Sequence, residues 1–258
     1  MKILSWNVAG LRARIKQNYL DFLFQNQIDI ICFQETKATP DQVKLSPELD
    51  NLYPFKFWNS NMGITQKKGL SGTAIWSKIK PIQEITPPDF DQEGRITCIE
   101  FEEYYLLTVY TPNSQNMNSE RFKFRINDWD IKFLNYINHL KSNKNIIICG
   151  DLNVCHQDID IYNPIKYKNN IPGFYDDERN NFTKIIQNNF IDSLRHFYKD
   201  TPNLYTYWNQ RVPSMRTNNM GYRLDYFLIN NEFINFVKQC EIHPDIIGSD
   251  HCPISITI

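Results

Sequence analysis

One stretch of the sequence decides the expected fold: Asn145-Ile146-Ile147-Ile148-Cys149-Gly150-Asp151-Leu152-Asn153. Its run of apolar residues is typical of a buried β-strand, and the run leads directly to the carboxylate of Asp151. An ionised side chain next to a core is costly unless it has a partner. The sequence therefore predicts that Asp151 lies at a strand end, together with other polar groups.

Two further acidic stretches follow or border apolar runs, namely Leu224-Asp225-Tyr226-Phe227 and Gly248-Ser249-Asp250-His251. Nearer the N-terminus, Asn7 and Glu35 each follow a strand-like run as well. If these strand ends converge, carboxylates, amides and an imidazole meet at one edge of a sheet. Such a set is typical of a site for a hard metal ion with an adjacent general base. It indicates hydrolysis, most readily of a phosphodiester.

Each of these residues also has an ordinary structural explanation. Glu35 could form an ion pair with Lys37, Asn7 could close an Asx-turn, and Asp151 could belong to a Gly-Asp turn. Asp151 and Asn153 are two positions apart, so on an extended chain their side chains would lie on the same side. The conjunction of the stretches, not any single residue, favours a functional site.

Strand-like and helix-like segments alternate along the chain without a linker, a repeat or a break in composition. The expected strands are Lys2–Val8, Ile28–Gln34, Phe55–Asn59, Gly72–Ser77, Arg95–Phe101, Tyr104–Tyr110, Asn145–Gly150, Tyr205–Trp208, Tyr222–Ile229 and Cys252–Ile258. The helical period predicts helices over Leu11–Gln27, Glu120–Lys141 and Glu178–Asn189, and residues 156–177 are expected to form an irregular loop. This order predicts an α/β fold with two mixed sheets flanked by helices, in one domain spanning residues 1–258.

Composition limits the cellular setting. The formal net charge of −1 does not indicate a particular partner. The 6 cysteines include no CxxC pair, and most lie in apolar runs, which is typical of buried free thiols in a reducing compartment. No secretory signal or membrane-length apolar stretch is present. We therefore expect an intracellular protein of the cytoplasm or nucleus that is neither secreted nor bound to a membrane.

Several motifs together match a known family along nearly the whole chain. They are Ser5-Trp6-Asn7-Val8, Phe33-Gln34-Glu35-Thr36-Lys37, Asp91-Gln92-Glu93-Gly94-Arg95, Tyr110-Thr111-Pro112-Asn113, Cys149-Gly150-Asp151-Leu152-Asn153-Val154, Arg223-Leu224-Asp225-Tyr226-Phe227 and Gly248-Ser249-Asp250-His251-Cys252-Pro253-Ile254. In their order and spacing, these motifs resemble those of the exonuclease III-type apurinic/apyrimidinic endonucleases. That family is part of the endonuclease/exonuclease/phosphatase superfamily.

The resemblance implies a four-layer α/β sandwich, with two packed β-sheets between outer helices. It also implies Mg²⁺-dependent incision of DNA 5′ to an abasic site, which leaves a 3′-hydroxyl and a 5′-deoxyribose phosphate. Cleaning of 3′ ends and 3′→5′ exonuclease activity are expected as side activities, and Mn²⁺ is expected to substitute for Mg²⁺. The expected partner is double-stranded DNA with abasic sites or blocked 3′ ends, bound by a monomer.

By the same resemblance, Glu35 is the main metal ligand and Asn7 supports it. The full expected metal set is Asn7, Glu35, Asp151, Asn153, Asp250 and His251. Some members carry an acidic residue two positions after the first Asn, where this chain has Ala9. We therefore expect the affinity for Mg²⁺ to depend steeply on Glu35.

The expected catalytic residues are Tyr110, Asp151, Asn153, Asp225 and His251. The resemblance implies that Asp151 positions or activates the attacking water and that Asn153 holds the water or stabilises the pentacovalent phosphate. His251 contacts the scissile phosphate and is oriented by Asp225. Tyr110 presents its phenol to the phosphate or to the leaving oxygen.

Contacts with DNA are expected from two groups of residues. Phosphate contacts are expected at Arg12, Lys37, Lys67, Lys68, Arg95, Asn113 and Asn170. A small pocket for the flipped-out abasic sugar is expected from Tyr207, Trp208, Tyr222 and Leu224. For Trp208, packing in the core is an equally good explanation.

Three alternatives remain open at this point. The enzyme could act mainly as a 3′→5′ exodeoxyribonuclease on duplex DNA. The chain could instead be a catalytically silent DNA-binding module, although the intact acidic residues argue against that. Phosphatase action on inositol lipids or sphingomyelin is disfavoured by the Leu224-Asp225-Tyr226-Phe227 motif.

Overall fold

The computed structural model of the chain describes residues 1–61 and 69–258. The strands within these residues are β1 Lys2–Asn7, β2 Ile30–Gln34, β3 Phe55–Asn59, β4 Thr73–Ser77, β5 Gln83–Ile85, β6 Ile96–Glu100, β7 Tyr104–Tyr110, β8 Asn145–Asp151, β9 Phe190–Asp192, β10 Asp225–Asn230, β11 Gln239–Ile242 and β12 Ile254–Thr257. They form two sheets of six strands each. The first sheet has the order β11-β12-β1-β2-β4-β3, and the second has the order β5-β6-β7-β8-β10-β9.

Both sheets are mixed. β1 runs parallel to β2, and β7 runs parallel to β8. The other pairings among the described strands are antiparallel. Each parallel pair is joined by helical chain, as a parallel crossover requires. The predicted pair of mixed sheets is therefore confirmed.

The described residues contain short helices and two longer ones. They are α1 Leu11–Lys16, α2 Phe22–Gln25, α3 Pro47–Leu52, α4 Glu120–Phe124, α5 Asp130–Asn143, α6 Pro164–Tyr167, α7 Asp176–Gln187, α8 Ser193–Phe197 and α9 Ser214–Thr217. A π-helical turn, Arg125–Trp129, joins α4 to α5. No described helix combines the length and apolar character that a membrane span needs.

Three apolar clusters hold four layers together. The inner faces of the two sheets meet through residues such as Ile30, Ile147 and Phe227. The outer face of the first sheet packs against the helices near the N-terminus through Leu11 and other residues. The outer face of the second sheet packs against α5 and α7, for example through Phe133. The chain is therefore a four-layer α/β sandwich, as predicted.

Several predicted elements differ from the observed ones. The single helix expected over Leu11–Gln27 is divided into α1 and α2, because Asn18 adopts a left-handed backbone conformation with φ of 59°. The strand expected at Tyr205–Trp208 was wrong, since Tyr207 makes only isolated bridges to Tyr222 and His251. The strands β5, β9 and β11 were missed because each has only three or four residues.

Candidate active site

The second sheet brings three of the predicted residues to one edge by strand register alone. Asp151 ends β8 and lies opposite Asp225, the first residue of the antiparallel β10. Tyr110, which ends the parallel strand β7, is the register partner of Asp151 on the other side. Gly150 permits this close approach, because a Cβ at that position would lie 2.0 Å from Val109 O.

The first sheet contributes Asn7 and Glu35 to the same edge, and the Asn7 amide connects the two sheets. Asn7 Nδ2 donates to Asp151 Oδ2 at 2.9 Å and to Glu35 Oε1 at 3.1 Å. Asn7 Oδ1 accepts the backbone N–H of Ala9 at 3.0 Å. Asn7 therefore closes an Asx-turn with its oxygen and contacts two of the predicted site residues with its nitrogen.

The short segments after the strands are shaped by left-handed backbone conformations. Glu35 has φ of 51° and Asn153 has φ of 48°. The expectation that Asp151 and Asn153 share one side of an extended chain was therefore wrong. They are adjacent because Asp151 Oδ1 accepts the backbone N–H of Asn153 at 2.9 Å. Asn153 is further fixed by Nδ2, which donates to Thr111 O at 2.8 Å, and by Asn113, which donates to Asn153 Oδ1 at 3.2 Å.

His251 lies between two carboxylates. Its Nδ1 is 2.7 Å from Asp225 Oδ2, and its Nε2 is 3.7 Å from Asp151 Oδ2. Since a carboxylate only accepts hydrogen bonds, Nδ1 donates to Asp225. Burial alone would lower the pKa of His251, but Asp225 and Asp151 raise it to about 10. His251 is therefore a cation that can donate from Nε2 into the site.

The two carboxylates nearest the Asn7 amide have opposite pKa shifts. Burial, together with the charge of Asp225, raises the pKa of Asp151 to about 7 against the opposing effect of His251. For Glu35, burial is outweighed by Lys37 and Asn7, which hold its pKa below the usual range. The Glu35–Lys37 ion pair is 2.7 Å long, so the structural explanation of Glu35 also holds. At neutral pH, Asp151 can therefore take up or release a proton while Glu35 stays ionised.

These side chains open onto one cavity of about 330 Å³. Its polar wall includes Glu35, Asp151 and His251, and its apolar wall includes Tyr222 and Leu224. The complete lining is Glu35, Tyr110, Asn113, Asp151, Asn153, Cys155, Ile171, Pro172, Tyr207, Asn209, Tyr222, Leu224, Asp250 and His251. The predicted site residues therefore converge on a space large enough for a small ligand.

Comparison with known proteins agrees with this arrangement. Residues 4–251 match the model of the endonuclease/exonuclease/phosphatase family. The chain belongs to that family. It is 43% identical to an exodeoxyribonuclease of Bacillus subtilis, over 100% of this chain and 99% of that protein. It is 39% identical to the DNA repair nuclease APEX1 of Danio rerio, over 99% of this chain and 81% of that protein.

The fold is also shared with a solved structure of an AP endonuclease from Archaeoglobus fulgidus. The TM-score is 0.87 at 25% sequence identity, and the match covers 100% of this chain and 98% of the other. The chain is thus an enzyme of a nuclease family, and the resemblance seen in its motifs is confirmed.

The acidic residues around the cavity fit a divalent cation. Within residues 1–61 and 69–258, ligand atoms of Asp151, Asp225 and His251 lie within 4.8 Å of one another. While His251 is protonated, only the two carboxylates of this group can act as metal ligands. Asp225 Oδ1 is buried and has no hydrogen-bond partner in the described chain, although Oδ2 is taken by His251. Glu35, the ligand favoured by the sequence, lies outside this cluster but lines the same cavity. An oxygen-rich set of this kind suits a hard metal ion.

Two of the predicted site residues are corrected by the structure. Trp208 is only 3% exposed and packs with Tyr205 and Cys252, so it belongs to the core and not to the pocket. Arg95 is 2% exposed, which removes it from contact with phosphate. It instead donates from Nη1 to Tyr110 O at 2.9 Å and lies over the Tyr110 ring, with its Cζ 4.6 Å from the ring centroid. Arg95 therefore positions Tyr110.

The other predicted DNA contacts differ in their placement. Asn113 lines the cavity, and the half-buried Lys37 reaches Glu35 beside it. Arg12 and Asn170 are exposed and stay predictions. Lys67 and Lys68 lie outside the described residues.

Some residues at the site were missed. Ser249 Oγ donates to Asn7 O at 2.7 Å, and it accepts the backbone N–H of His251 at 3.2 Å. This links the loop that carries His251 to β1. Ile171 and Pro172, from the loop predicted over residues 156–177, also line the cavity. No pattern in the sequence distinguishes them from the other apolar residues of that loop.

Proposed function

We propose that this protein is a metal-dependent DNA-repair nuclease that hydrolyses the phosphodiester 5′ to an abasic site. The products are a 3′-hydroxyl and a 5′-deoxyribose phosphate, and blocked 3′ ends are also removed. One observation carries the proposal: Glu35, Asp151 and His251 converge at a cavity that is closed by the apolar surfaces of Tyr222 and Leu224. The polar side suits a phosphate and a metal ion, and the apolar side suits a sugar without a base.

The proposed metal is Mg²⁺, with Mn²⁺ as a substitute. Glu35 and Asn7 would hold it, with Asp151, Asn153, His251 and Asp250 around it. The ion would neutralise charge that develops on the phosphoryl oxygens. Its binding is favoured by the ionised state of Glu35, whose pKa is held below the usual range by Lys37 and Asn7 against the effect of burial.

We assign proton transfer to Asp151. Its carboxylate is buried, and burial together with Asp225 raises its pKa to about 7, close to the optimum for a general base at neutral pH. Asn153, held by three hydrogen bonds, would keep the attacking water next to Asp151.

Stabilisation of the phosphate is assigned to two donors. His251, protonated and oriented by Asp225, would donate from Nε2 to a phosphoryl oxygen. Burial and the charge of Glu35 raise the pKa of Tyr110 well above its ordinary value, so its phenol stays a donor at neutral pH. Donors fixed before the reaction stabilise developing charge without reorganisation.

The apolar wall supports selection of an abasic sugar. The rings of Tyr207 and Tyr222 are stacked with centroids 5.8 Å apart, and the Tyr207 ring lies 4.9 Å from the His251 ring. These contacts place aromatic surface beside the catalytic imidazole. A flipped-out sugar without its base would fit such a cavity, and a complete nucleotide would be excluded by size.

The names of the relatives support DNA as the substrate, since both the exodeoxyribonuclease and the DNA repair nuclease act on it by name. All 6 cysteines are free and buried, which supports the proposal of a reducing compartment. A single domain over residues 1–258 and a monomeric state also remain proposals.

The test compares two DNA duplexes. One carries a single internal tetrahydrofuran, a stable analogue of an abasic site, and the other is blunt and undamaged. We expect Mg²⁺-dependent incision of the first duplex immediately 5′ to the analogue, and loss of activity when a chelator is added. If the blunt duplex is degraded faster than the analogue is incised, the main activity is that of a 3′→5′ exodeoxyribonuclease, as the Bacillus subtilis relative's name suggests. Absence of any chelator-sensitive cleavage would indicate a DNA-binding module without catalysis.

A further inference from the structure

The helical segment before β8 contains an irregularity that the sequence did not predict. Its period favours one helix over Glu120–Lys141, with Ile126 on the apolar face. The π-helical turn Arg125–Trp129 instead adds one residue between α4 and α5. Because one residue of an α-helix turns by roughly 100°, the added residue changes which side chains face inward. As a result, Arg125 is 3% exposed while Ile126 is only half-buried.

The buried Arg125 guanidinium makes three polar contacts. Its Nε pairs with Asp130 Oδ1 at 2.6 Å. Its Nη1 donates to Pro112 O at 2.8 Å, and its Nη2 donates to Leu152 O at 3.0 Å. A planar, multiply donating cation is suited to joining such separate acceptors, because its donors have a fixed geometry.

The two carbonyl groups belong to the two loops that carry the proposed chemistry. Pro112 lies between Tyr110 and Asn113, and Leu152 lies between Asp151 and Asn153. On the cavity side, these loops are joined by the hydrogen bonds of Asn153 with Thr111 O and Asn113. Arg125 joins them a second time, from the core side.

The π-helical turn also holds Arg125 in place. The backbone N–H of Asp130 donates to Arg125 O, five residues back, so Ile126 O accepts Asn181 Nδ2 at 3.1 Å. The same Asn181 nitrogen is 3.2 Å from Asp130 Oδ2. The carboxylate that pairs with Arg125 is thus itself fixed to α7.

We propose that Arg125 is a positioning residue, which sets the spacing between the Tyr110–Asn113 loop and the Asp151–Asn153 loop. The proposal rests on the proposed function, since these loops are assigned the water and the phosphate. Arg125 does not touch DNA, because it is buried. Its effect is expected in turnover and not in substrate binding.

The chain offers a matched control in Arg195. This arginine also pairs with a buried carboxylate, Asp160, at 2.6 Å. It also donates to two carbonyl oxygens, Tyr198 O at 3.1 Å and Thr201 O at 2.8 Å. None of these residues lines the cavity. A loss of kcat that is due only to removal of an arginine with such contacts should therefore appear at both positions.

The experiment measures kcat and KM of Arg125→Met, Arg125→Lys, Arg195→Met and Arg195→Lys on the tetrahydrofuran duplex at saturating Mg²⁺. We expect Arg125→Met to lower kcat roughly tenfold to a hundredfold, because small displacements of reacting groups have effects of that size. Its KM should change by less than about threefold, and the kcat of Arg195→Met should stay within about twofold of wild type. Compared with Arg125→Met, Arg125→Lys should regain more of the stability than of the kcat. A single ammonium group keeps the positive charge but cannot span both loops.

A double variant separates positioning from stability. Arg125→Met leaves Asp130 buried without its cation, which destabilises the fold. In Arg125→Met/Asp130→Asn that charge is absent, so the melting temperature should recover while kcat stays low. If the melting temperature and kcat of the double variant recover together, the proposal is overturned. A loss of kcat in Arg195→Met as large as that in Arg125→Met would also overturn it.

Hydrogen exchange gives a measurement that needs no activity. In Arg125→Met, peptides spanning residues 110–114 and 151–154 should exchange faster than in wild type, whereas in Arg195→Met they should not. Unchanged exchange would overturn the proposal. If wild type cleaves a different DNA substrate, the proposed function fails, but the same variants can be compared on that substrate.

Discussion

Two buried clusters of charged residues in this protein have opposite properties. We call the first the catalytic cluster, which consists of Asn7, Glu35, Asp151, Asp225 and His251. We call the second the arginine cluster, which consists of Asp160, Asp192, Arg195 and Arg223. In both clusters, ionised side chains are removed from water, which costs solvation free energy. The two clusters differ in how that cost is offset.

In the arginine cluster, two carboxylates meet two guanidinium groups. Arg223 contacts Asp160 at 2.8 Å and Asp192 at 2.7 Å, and Arg195 contacts Asp160 at 2.6 Å. Although Asp160 is buried, the two arginines hold its pKa at about 2. The charges balance within the protein, so this cluster needs no external partner.

The catalytic cluster has three carboxylates and one imidazole, which contacts Asp151 and Asp225. The half-buried Lys37 pairs with the third carboxylate, Glu35. Here burial raises the pKa of Asp151 to about 7. A cluster in which carboxylates outnumber the cationic side chains is poised to bind a cation from solution. A balanced buried cluster therefore stabilises the fold, whereas an unbalanced one is available for ligands and proton transfer.

The largest expected effect comes from removing the charge of Asp151. We expect Asp151→Asn to lower kcat by about a hundredfold to ten-thousandfold, the usual contribution of a general base. Its free energy of unfolding should fall by no more than about 1 kcal/mol, since the amide still accepts a hydrogen bond. Steady-state kinetics and urea unfolding in chelator check both values. A variant with wild-type kcat would remove Asp151 from the proposed chemistry.

Asp160→Asn should have the opposite pattern of effects, with a large loss of stability and little change in kcat. It removes the charge that the buried Arg223 and the half-buried Arg195 share, so we expect the free energy of unfolding to fall by about 3 to 5 kcal/mol. Below the melting temperature, kcat should stay within about threefold of wild type, because no member of the arginine cluster lines the cavity. Unfolding curves and kinetics on the same preparation test this contrast. A large loss of kcat in the folded variant would show that the two clusters are coupled.

The pH dependence of stability should separate the clusters further. The pKa of Asp160 is about 2 in the folded protein, against an ordinary value of 3.8. Because the folded-state value is the lower one, its contribution is present above pH 4 and is lost as the pH falls towards 2, with a size of about 2 kcal/mol. Urea unfolding of wild type and Asp160→Asn should therefore show a difference that shrinks by that amount over this range. A constant difference would contradict the assignment.

The smallest expected effect is stabilisation by Mg²⁺. At about ten times its dissociation constant, Mg²⁺ should stabilise wild type by about 1.4 kcal/mol, which raises the melting temperature by roughly 3 to 5 °C. In Glu35→Gln the shift should disappear. Glu93→Gln is the control, since Glu93 is a similarly buried acid that pairs with Arg95 and Arg121. Retention of the full shift in Glu35→Gln would exclude Glu35 as the main ligand.

The layers of the fold and most of the residues at the catalytic edge could be predicted from the sequence alone. Apolar runs of five to seven residues are long enough to form strands wherever they pair, and a polar residue at the end of such a run has only the sheet edge to occupy. For that reason Asn7, Glu35, Asp151, Asp225 and His251 could be placed together before any coordinates.

The orientation of the residues between these elements depends on contacts that are seen only in the folded chain. Arg95 and Trp208 look like surface or pocket residues in the sequence, but their burial depends on partners distant in the chain. The left-handed conformation of Asn153 and the inward turn of Arg125 depend on hydrogen bonds to other loops and helices. The spacing of apolar residues predicts which face of a helix or strand is buried. Long-range contacts made by single side chains between these elements leave no such spacing in the sequence.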